Sequence, residues 1–466
     1  MKKAIAYSAG AIFLLGVWFL LPFVFGEYIV PFPWDVGKRL FVLLSGPAIY
    51  LHLSITLLRT VIGFILALVS GTLVGMLTGR MLFLEKSFFV PVSVIQGAPP
   101  LLWIIPLMLI LGTGGAAPIG VVFFVVFPLV IINIQEGMKA LDRGRLEMMK
   151  VYAGSKTLLA REFYLPGLGS HIKSIFLAGF LLALKSSITG EWFGAQSGIG
   201  RIINEYFYTF DMPSFYAVAL LFILTVVFVA WLIGKLTSHL FERKQSKITP
   251  GEHARSDIGL GHAESTLIMK NVFFNFGGNV ICNDISFSVT TPQTIVLTGD
   301  SGAGKTTLAK LSLGLLKPRK GKISVPTNAC IIFQEDVFLP HLDCFGNACL
   351  PARKKKTPDA ASRTLLALDR CGLAEYAHFF PDELSGGMSK RLAFARALVF
   401  NPDFIILDEP FNKLHKEARA ELWQLYFTLF SERGIPSIII THFPEELAGR
   451  QGLEFIVLCD GKLVKA

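Results

Sequence analysis

Residues 299–306 read Gly-Asp-Ser-Gly-Ala-Gly-Lys-Thr, and their flanks decide the fold of the C-terminal part of the chain. The apolar run Ile295-Val296-Leu297-Thr298 reads as a buried strand feeding into Gly299, and Leu308-Ala309-Lys310-Leu311 reads as helix. A strand, a glycine loop and a helix form the context of a phosphate-binding loop. The glycines let successive backbone N–H groups curl round phosphate oxygens, and the helix N-terminus adds favourable partial charge. The candidate nucleotide contacts are Gly299, Asp300, Ser301, Gly302, Ala303, Gly304, Lys305, Thr306 and Thr307. Lys305 would reach the β- and γ-phosphates, and the Thr306 hydroxyl would ligate Mg²⁺.

Two further motifs extend this site. Phe404-Ile405-Ile406-Leu407-Asp408-Glu409 is an apolar strand ending in two carboxylates. Asp408 suits the Mg²⁺ shell, and Glu409 suits a general base polarising the attacking water. In Leu384-Ser385-Gly386-Gly387-Met388-Ser389-Lys390-Arg391, residues Ser385, Gly386 and Gly387 open a helix whose amides and hydroxyl can bind a γ-phosphate.

Together these motifs resemble the ABC ATPases across essentially all of 266–466. The resemblance implies that Ser385, Gly386 and Gly387 meet ATP held by the opposite subunit, so that two such domains close on two nucleotides. It also places Phe276, in Asn275-Phe276-Gly277-Gly278, where an aromatic stacks on adenine. Gln334 matches the glutamine that senses Mg²⁺ and faces a coupling helix, and His442 matches the switch histidine at the γ-phosphate. His415 is a departure, because the family normally has aspartate there, helping to link the two nucleotide sites. With Glu409 and His442 in place, an active ATPase with altered cooperativity is expected.

The 466 residues are 52% hydrophobic and only 17% charged, with mean hydropathy +0.56, and the charge concentrates after about residue 240. All six cysteines (Cys282, Cys330, Cys344, Cys349, Cys371, Cys459) lie in the second half. Cys344 and Cys349 sit near His341 but at no usual zinc spacing, so reduced cytosolic thiols are expected. The net charge of +10 does not indicate nucleic acid, because much of the positive charge lies in short loops beside apolar segments. Arg353-Lys354-Lys355-Lys356 reads as a solvated loop.

Apolar segments near 4–25, 53–79, 88–111, 117–135, 173–190 and 214–240 are mostly about 20 residues or longer, enough to cross a membrane. The first follows Lys2-Lys3 but lacks a small-x-small cleavage site, so it reads as a span. Lys2, Lys3, Arg80 and Lys86 fall on one side. With them go Lys139, Arg143, Arg145, Lys150, Lys156, Arg161, Arg243, Lys244 and Lys247, and the other side holds only Lys38, Arg39 and Arg201. This bias puts both the N-terminus and the exit to residue 241 in the cytoplasm, where ATP is. The expected fold is a polytopic α-helical membrane domain of about six spans fused to an α/β P-loop ATPase. Its parts are an N-terminal span with periplasmic segment (1–49), a permease domain (50–240), a polar linker (241–265) and the ATPase domain (266–466).

In loop 136–172, Leu146-Glu147-Met148-Met149-Lys150-Val151-Tyr152-Ala153-Gly154-Ser155 continues to Phe163-Tyr164-Leu165-Pro166. This resembles the coupling-helix motif of binding-protein-dependent ABC permeases, although glycine usually stands where Ala153 does, and here Gly154 follows it. Glu147, Ala153 and Gly154 are the candidate coupling residues. Stretches 96–107 and 190–200 resemble permeases of the nitrate/sulfonate/taurine-type importers. The resemblance implies a multi-pass inner-membrane homodimer with cytoplasmic ATPase domains, fed by an extracytoplasmic solute-binding protein and moving a small solute. An exporter or lipid flippase is disfavoured by the 146–166 motif, and a membrane-anchored regulatory ATPase is a third reading. Arg59, Lys185 and Glu191 lie in or beside spans. The two cations either help an anion across or are structural ion pairs and snorkelling groups.

Overall fold

The computed structural model describes residues 2–240, 246, 265–276, 279–355 and 359–465. Most of the expected linker 241–265, with Arg243, Lys244 and Lys247, lies outside the described residues, as do Gly277, Gly278 and Lys356. The chain divides into two compact units, Met1–Leu141 with Gly167–Phe241 and Asp142–Pro166 with Glu242–Ala466.

The first unit is helical. Among the described residues, Pro47–Arg80, Ala116–Ala140, Gly169–Gly194 and Met212–Thr237 are long and apolar enough to cross a membrane. The first apolar segment forms a helix over Lys2–Phe25. The segment expected to cross as 88–111 is instead two helices, Leu82–Gly97 and Pro100–Leu111, bent by 96°. The cause is local. A residue before proline is pushed out of the helical region, and Ala98 (ψ 127°) and Pro99 (ψ 143°) both precede one. Pro118 and Pro128, by contrast, are absorbed within Ala116–Ala140: the first sits in its opening turn, where no N–H partner is lost.

Two long helices mesh through glycine. A Cβ at Gly63 would come within 2.7 Å of Val122, at Gly71 within 2.8 Å of Val130, at Gly75 within 2.8 Å of Ile134, and at Gly79 within 2.6 Å of Met138. Ala67 and Val126, both fully buried, occupy the remaining four-residue steps of the two rows. Small residues let the backbones approach, so dispersion rather than exclusion of water holds this pair together.

The second unit carries two sheets. β3 (Thr294–Thr298), β5 (Ala329–Ile332), β6 (Phe404–Asp408), β7 (Ser437–Ile440), β8 (Leu453–Cys459) and β9 (Lys462–Lys465) form the order β5-β6-β7-β3-β8-β9. The first five are parallel, and β9 is antiparallel to β8. β1 (Thr266–Phe276), β2 (Asn279–Thr290) and β4 (Lys320–Ser324) form a separate antiparallel sheet, β2-β1-β4. Ile405, Ile406, Leu407, Ile438, Ile439 and Ile440 are buried without alternation, as strands of a parallel sheet covered on both faces must be. The register sets Leu297 and Asp408 both opposite Ile440, so the carboxyl ends of β3, β6 and β7 deliver their following residues to one edge. Burial pushes the thiols of Cys282, Cys330 and Cys344 up to about 11, 12 and 12, which leaves them protonated and unreactive.

Candidate functional site

The phosphate loop leaves β3 through three left-handed glycines, Gly299 (φ 141°), Gly302 (φ 85°) and Gly304 (φ 97°). A side chain at Gly299 would strike the Leu458 carbonyl, and one at Gly304 would strike Ile281. The helix Lys305–Ser312 starts directly after Gly304. Lys305 is buried, and its Nζ donates to the carbonyls of Gly299 (2.7 Å) and Asp300 (3.0 Å), holding the ammonium over its own loop. Thr306 Oγ1 donates to Asp408 Oδ1 at 3.2 Å. Burial pushes the Asp408 carboxyl up to about 6, with the Thr306 hydrogen bond opposing that rise. A hydroxyl and a carboxylate this close are the oxygen donors that a hard divalent cation takes.

Glu409 follows β6 in a left-handed conformation (φ 46°), rare for a residue with a side chain and found where surrounding contacts over-determine the backbone. Its N–H donates to the Ile440 carbonyl at 2.9 Å. Its carboxylate is held from three sides: His442 Nε2 lies 2.8 Å from Oε1, while Gln334 Nε2 (2.9 Å) and Asn412 Nδ2 (2.6 Å) both reach Oε2. Gln334, Glu409 and His442 are thus brought into one group, and Asp408, next to Glu409 in the chain, is bonded to Thr306. Asn412 was not singled out by the sequence motifs, and its only signal is its place three residues beyond Glu409.

Ser385 caps the helix Gly386–Phe400, accepting from Met388 N–H at 3.4 Å, and Ser385 and Gly386 remain exposed. Phe276 ends β1 with 58% of its surface exposed, its ring set edge-to-face against Phe274 at 5.3 Å, so one aromatic face stays open for stacking.

The helix Arg143–Tyr152 belongs to the same compact unit. Asp142 caps it by accepting from Arg145 N–H at 2.8 Å. Ala153 continues in the right-handed region, fully buried, and Gly154 (φ 52°) makes the left-handed stop, both donating to the Met149 carbonyl. That explains the inverted small-residue pair, since the position needing glycine is 154, where the chain reverses. Glu147 pairs with Lys310, on the phosphate-loop helix, at 3.0 Å. Tyr152, which the motif reading did not assign, is fully buried. Its hydroxyl donates to the Ile331 carbonyl at 2.7 Å, and the Arg396 guanidinium lies 4.6 Å from its ring centroid. Arg396 in turn donates to the Val337 carbonyl at 2.9 Å. Glu162, further along the same segment, meets Arg353 at 3.3 Å and His341 at 3.6 Å.

In the helical unit, Arg59 Nη1 pairs with Glu191 Oε1 at 2.8 Å, and Glu191 is wholly buried. Thr56 Oγ1 (2.8 Å) and the Gly200 N–H (3.1 Å) complete the carboxylate, while Arg59 also donates to Ser197 O (2.6 Å) and Oγ (2.9 Å). Of the two readings open for Arg59, the structural ion pair is the one the geometry supports. Lys185 is exposed on its helix and takes no part in this network.

A family model described as ABC transporter matches residues 282–412, and one described as binding-protein-dependent transport system inner membrane component matches 71–241. The aliphatic sulfonates import ATP-binding protein SsuB 1 of Paracoccus denitrificans (strain Pd 1222) is 36% identical over 196 residues, covering 41% of this chain and 78% of that protein. The chain belongs to the ABC transporter family. It is an ABC transporter of the importer type, with permease and ATP-hydrolysing cassette fused in one polypeptide. The Fe(3+) ions import ATP-binding protein FbpC 2 of Haemophilus influenzae (strain ATCC 51907 / DSM 11121 / KW20 / Rd) is 32% identical over 216 residues, covering 43% of this ABC transporter and 60% of that protein. Among solved structures, a dimeric bacterial ABC transporter cassette matches with TM-score 0.38 and 26% identity, covering 43% of this chain and 98% of that one.

Proposed function

We propose that two copies of this chain form one importer in the inner membrane, taking a small solute from an extracytoplasmic binding protein and driving its entry with ATP. The observation that carries this reading is the seat of the helix Arg143–Tyr152. It lies inside the permease-matched region, yet its Tyr152 is bonded to β5 and its Glu147 to the phosphate-loop helix. Closure of a cassette pair on ATP would be felt at that helix through Lys310, Ile331 and Arg396.

In the chemical step, Lys305 and the loop amides hold the phosphates, Phe276 stacks on adenine, and Ser385, Gly386 and Gly387 meet the γ-phosphate of ATP bound to the other copy. Glu409 takes a proton from the attacking water, and His442 contacts the γ-phosphate. Thr306, Asp408 and the amide oxygen of Gln334 would hold Mg²⁺, which supplies charge neutralisation at the transferring phosphoryl group. The exposed His415, in place of an aspartate, supports altered coupling between the two sites. The relatives named for aliphatic sulfonates import support a small anion such as a sulfonate, with taurine and nitrate resting on the resemblance of stretches 96–107 and 190–200. Since Arg59 is already neutralised by Glu191 and Lys185 is exposed, selection for that anion falls to the binding protein.

Proteoliposomes with cassettes facing the ATP-supplied side test this reading with labelled taurine, ethanesulfonate and nitrate. Import predicts solute movement toward the cassette side only when a binding protein is present opposite. Movement the other way would favour an exporter, and ATPase activity indifferent to every solute and binding protein would favour a regulatory ATPase. A second expectation concerns pH. A carboxyl that ionises near 6 is protonated below that value, and the proton then competes with the metal. The Mg²⁺ concentration for half-maximal ATPase should rise by about tenfold per pH unit below about 6, measured as Mg²⁺ titrations of phosphate release from pH 7 to 5.

A further inference from the structure

The turn after Glu409 carries an amide that nothing in the motif chemistry requires. Asn412 Nδ2 lies 2.6 Å from Glu409 Oε2, the shortest of the three side-chain contacts to that carboxylate. The bond closes a short turn, from Glu409 in the left-handed region to the side chain three positions on. The two carboxylate oxygens are consequently not equivalent. Oε2 is gripped by two neutral amide donors, Gln334 and Asn412, which come from separate segments of the chain. Among the described residues Oε1 faces only His442, whose side chain is about one-third exposed. Beyond Asn412 the same turn runs on to Lys413 and His415, both exposed.

We infer that Asn412 is a positioning residue for ATP hydrolysis: with Gln334 it fixes Oε2, so that Oε1 is the oxygen that takes the proton. In the step it serves, a water proton passes to Oε1 as the water oxygen bonds to the γ-phosphorus and the bond from that phosphorus to the ADP oxygen breaks. A carboxylate secured at Oε2 presents Oε1, which meets His442 at 2.8 Å, from a fixed position, and a general base is governed first by geometry. This inference rests on Glu409 being the base.

The experiment uses the full chain in lipid nanodiscs, with steady-state phosphate release and ATP titrations. Asn412→Asp keeps the shape but replaces the donor with a repelling oxygen; Asn412→Ala removes the group; Asn412→Ser restores a shorter donor. The expected result is kcat lowered about tenfold or more in Asp and Ala, with KM for ATP within about twofold of the parent and partial recovery in Ser. Each variant is also combined with Glu409→Gln. If Asn412 acts through Glu409, changing Asn412 lowers the residual rate of Glu409→Gln no further, because residues acting as a unit are non-additive. Unchanged kcat in both Asp and Ala overturns the inference, and so does a further full loss in the Glu409→Gln background. Should Glu409→Gln alone retain the parent rate, the assignment of the base fails instead, and the two failures are told apart by that single control.

Discussion

Glu409→Gln is expected to lower steady-state phosphate release by about two to three orders of magnitude, the range a positioned general base supplies, while ATP still binds. The substitution is nearly isosteric. The amide oxygen at 409 can still accept from Gln334 and Asn412, and its nitrogen can face His442, so the turn and its left-handed backbone keep their contacts. What disappears is the proton acceptor. The loop Gly299–Gly304, Lys305 and Thr306 are untouched, so binding of a fluorescent ATP analogue should change by less than about threefold. Parent-like turnover in this variant would remove Glu409 from the catalytic role, and lost nucleotide binding would show that it served the fold.

Arg59→Met is expected to have the largest effect on stability. Glu191 is wholly buried and Arg59 is its only opposite charge among the described residues, so the variant leaves a carboxylate enclosed with the Thr56 hydroxyl and the Gly200 N–H. Breaking a buried pair from one side costs about 3–5 kcal/mol. Adding Glu191→Gln to Arg59→Met removes the stranded charge and should recover most of that loss. Chemical unfolding in lipid-like micelles, followed by tryptophan fluorescence, reads both. A double variant no more stable than the single one would mean that Arg59 acts through Ser197 alone, whose carbonyl and hydroxyl it also bonds.

The ATPase unit was legible because its information is local. Three left-handed glycines and a lysine within residues 299–305 are a contiguous string, and an unbroken apolar run ending in Asp408-Glu409 behind them reads as a buried strand with two carboxylates at its carboxyl end. What escaped is non-local or conformational. Arg59 and Glu191 stand 132 residues apart, and no periodicity links them. Segment 88–111 passes as a span because hydropathy averages over Ala98-Pro99-Pro100, while the backbone obeys those three residues alone. Asn412 reaches Glu409 across a turn whose backbone is left-handed at 409, which sequence does not announce for glutamate. Tyr152 reads as an ordinary aromatic on an amphipathic helix until the carbonyl of Ile331 and the guanidinium of Arg396 appear beside it.

The meshed pair Pro47–Arg80 and Ala116–Ala140 has a mechanical consequence. Both rows repeat every four residues, glycine or alanine on one helix and Val122, Val126, Val130, Ile134 and Met138 on the other. Four residues advance a helix by about 6 Å. Sliding by any smaller amount drives a bulky side chain into a backbone that has no room for it. The pair therefore behaves like a toothed rack, free to tilt as one plate but locked against creep along its length.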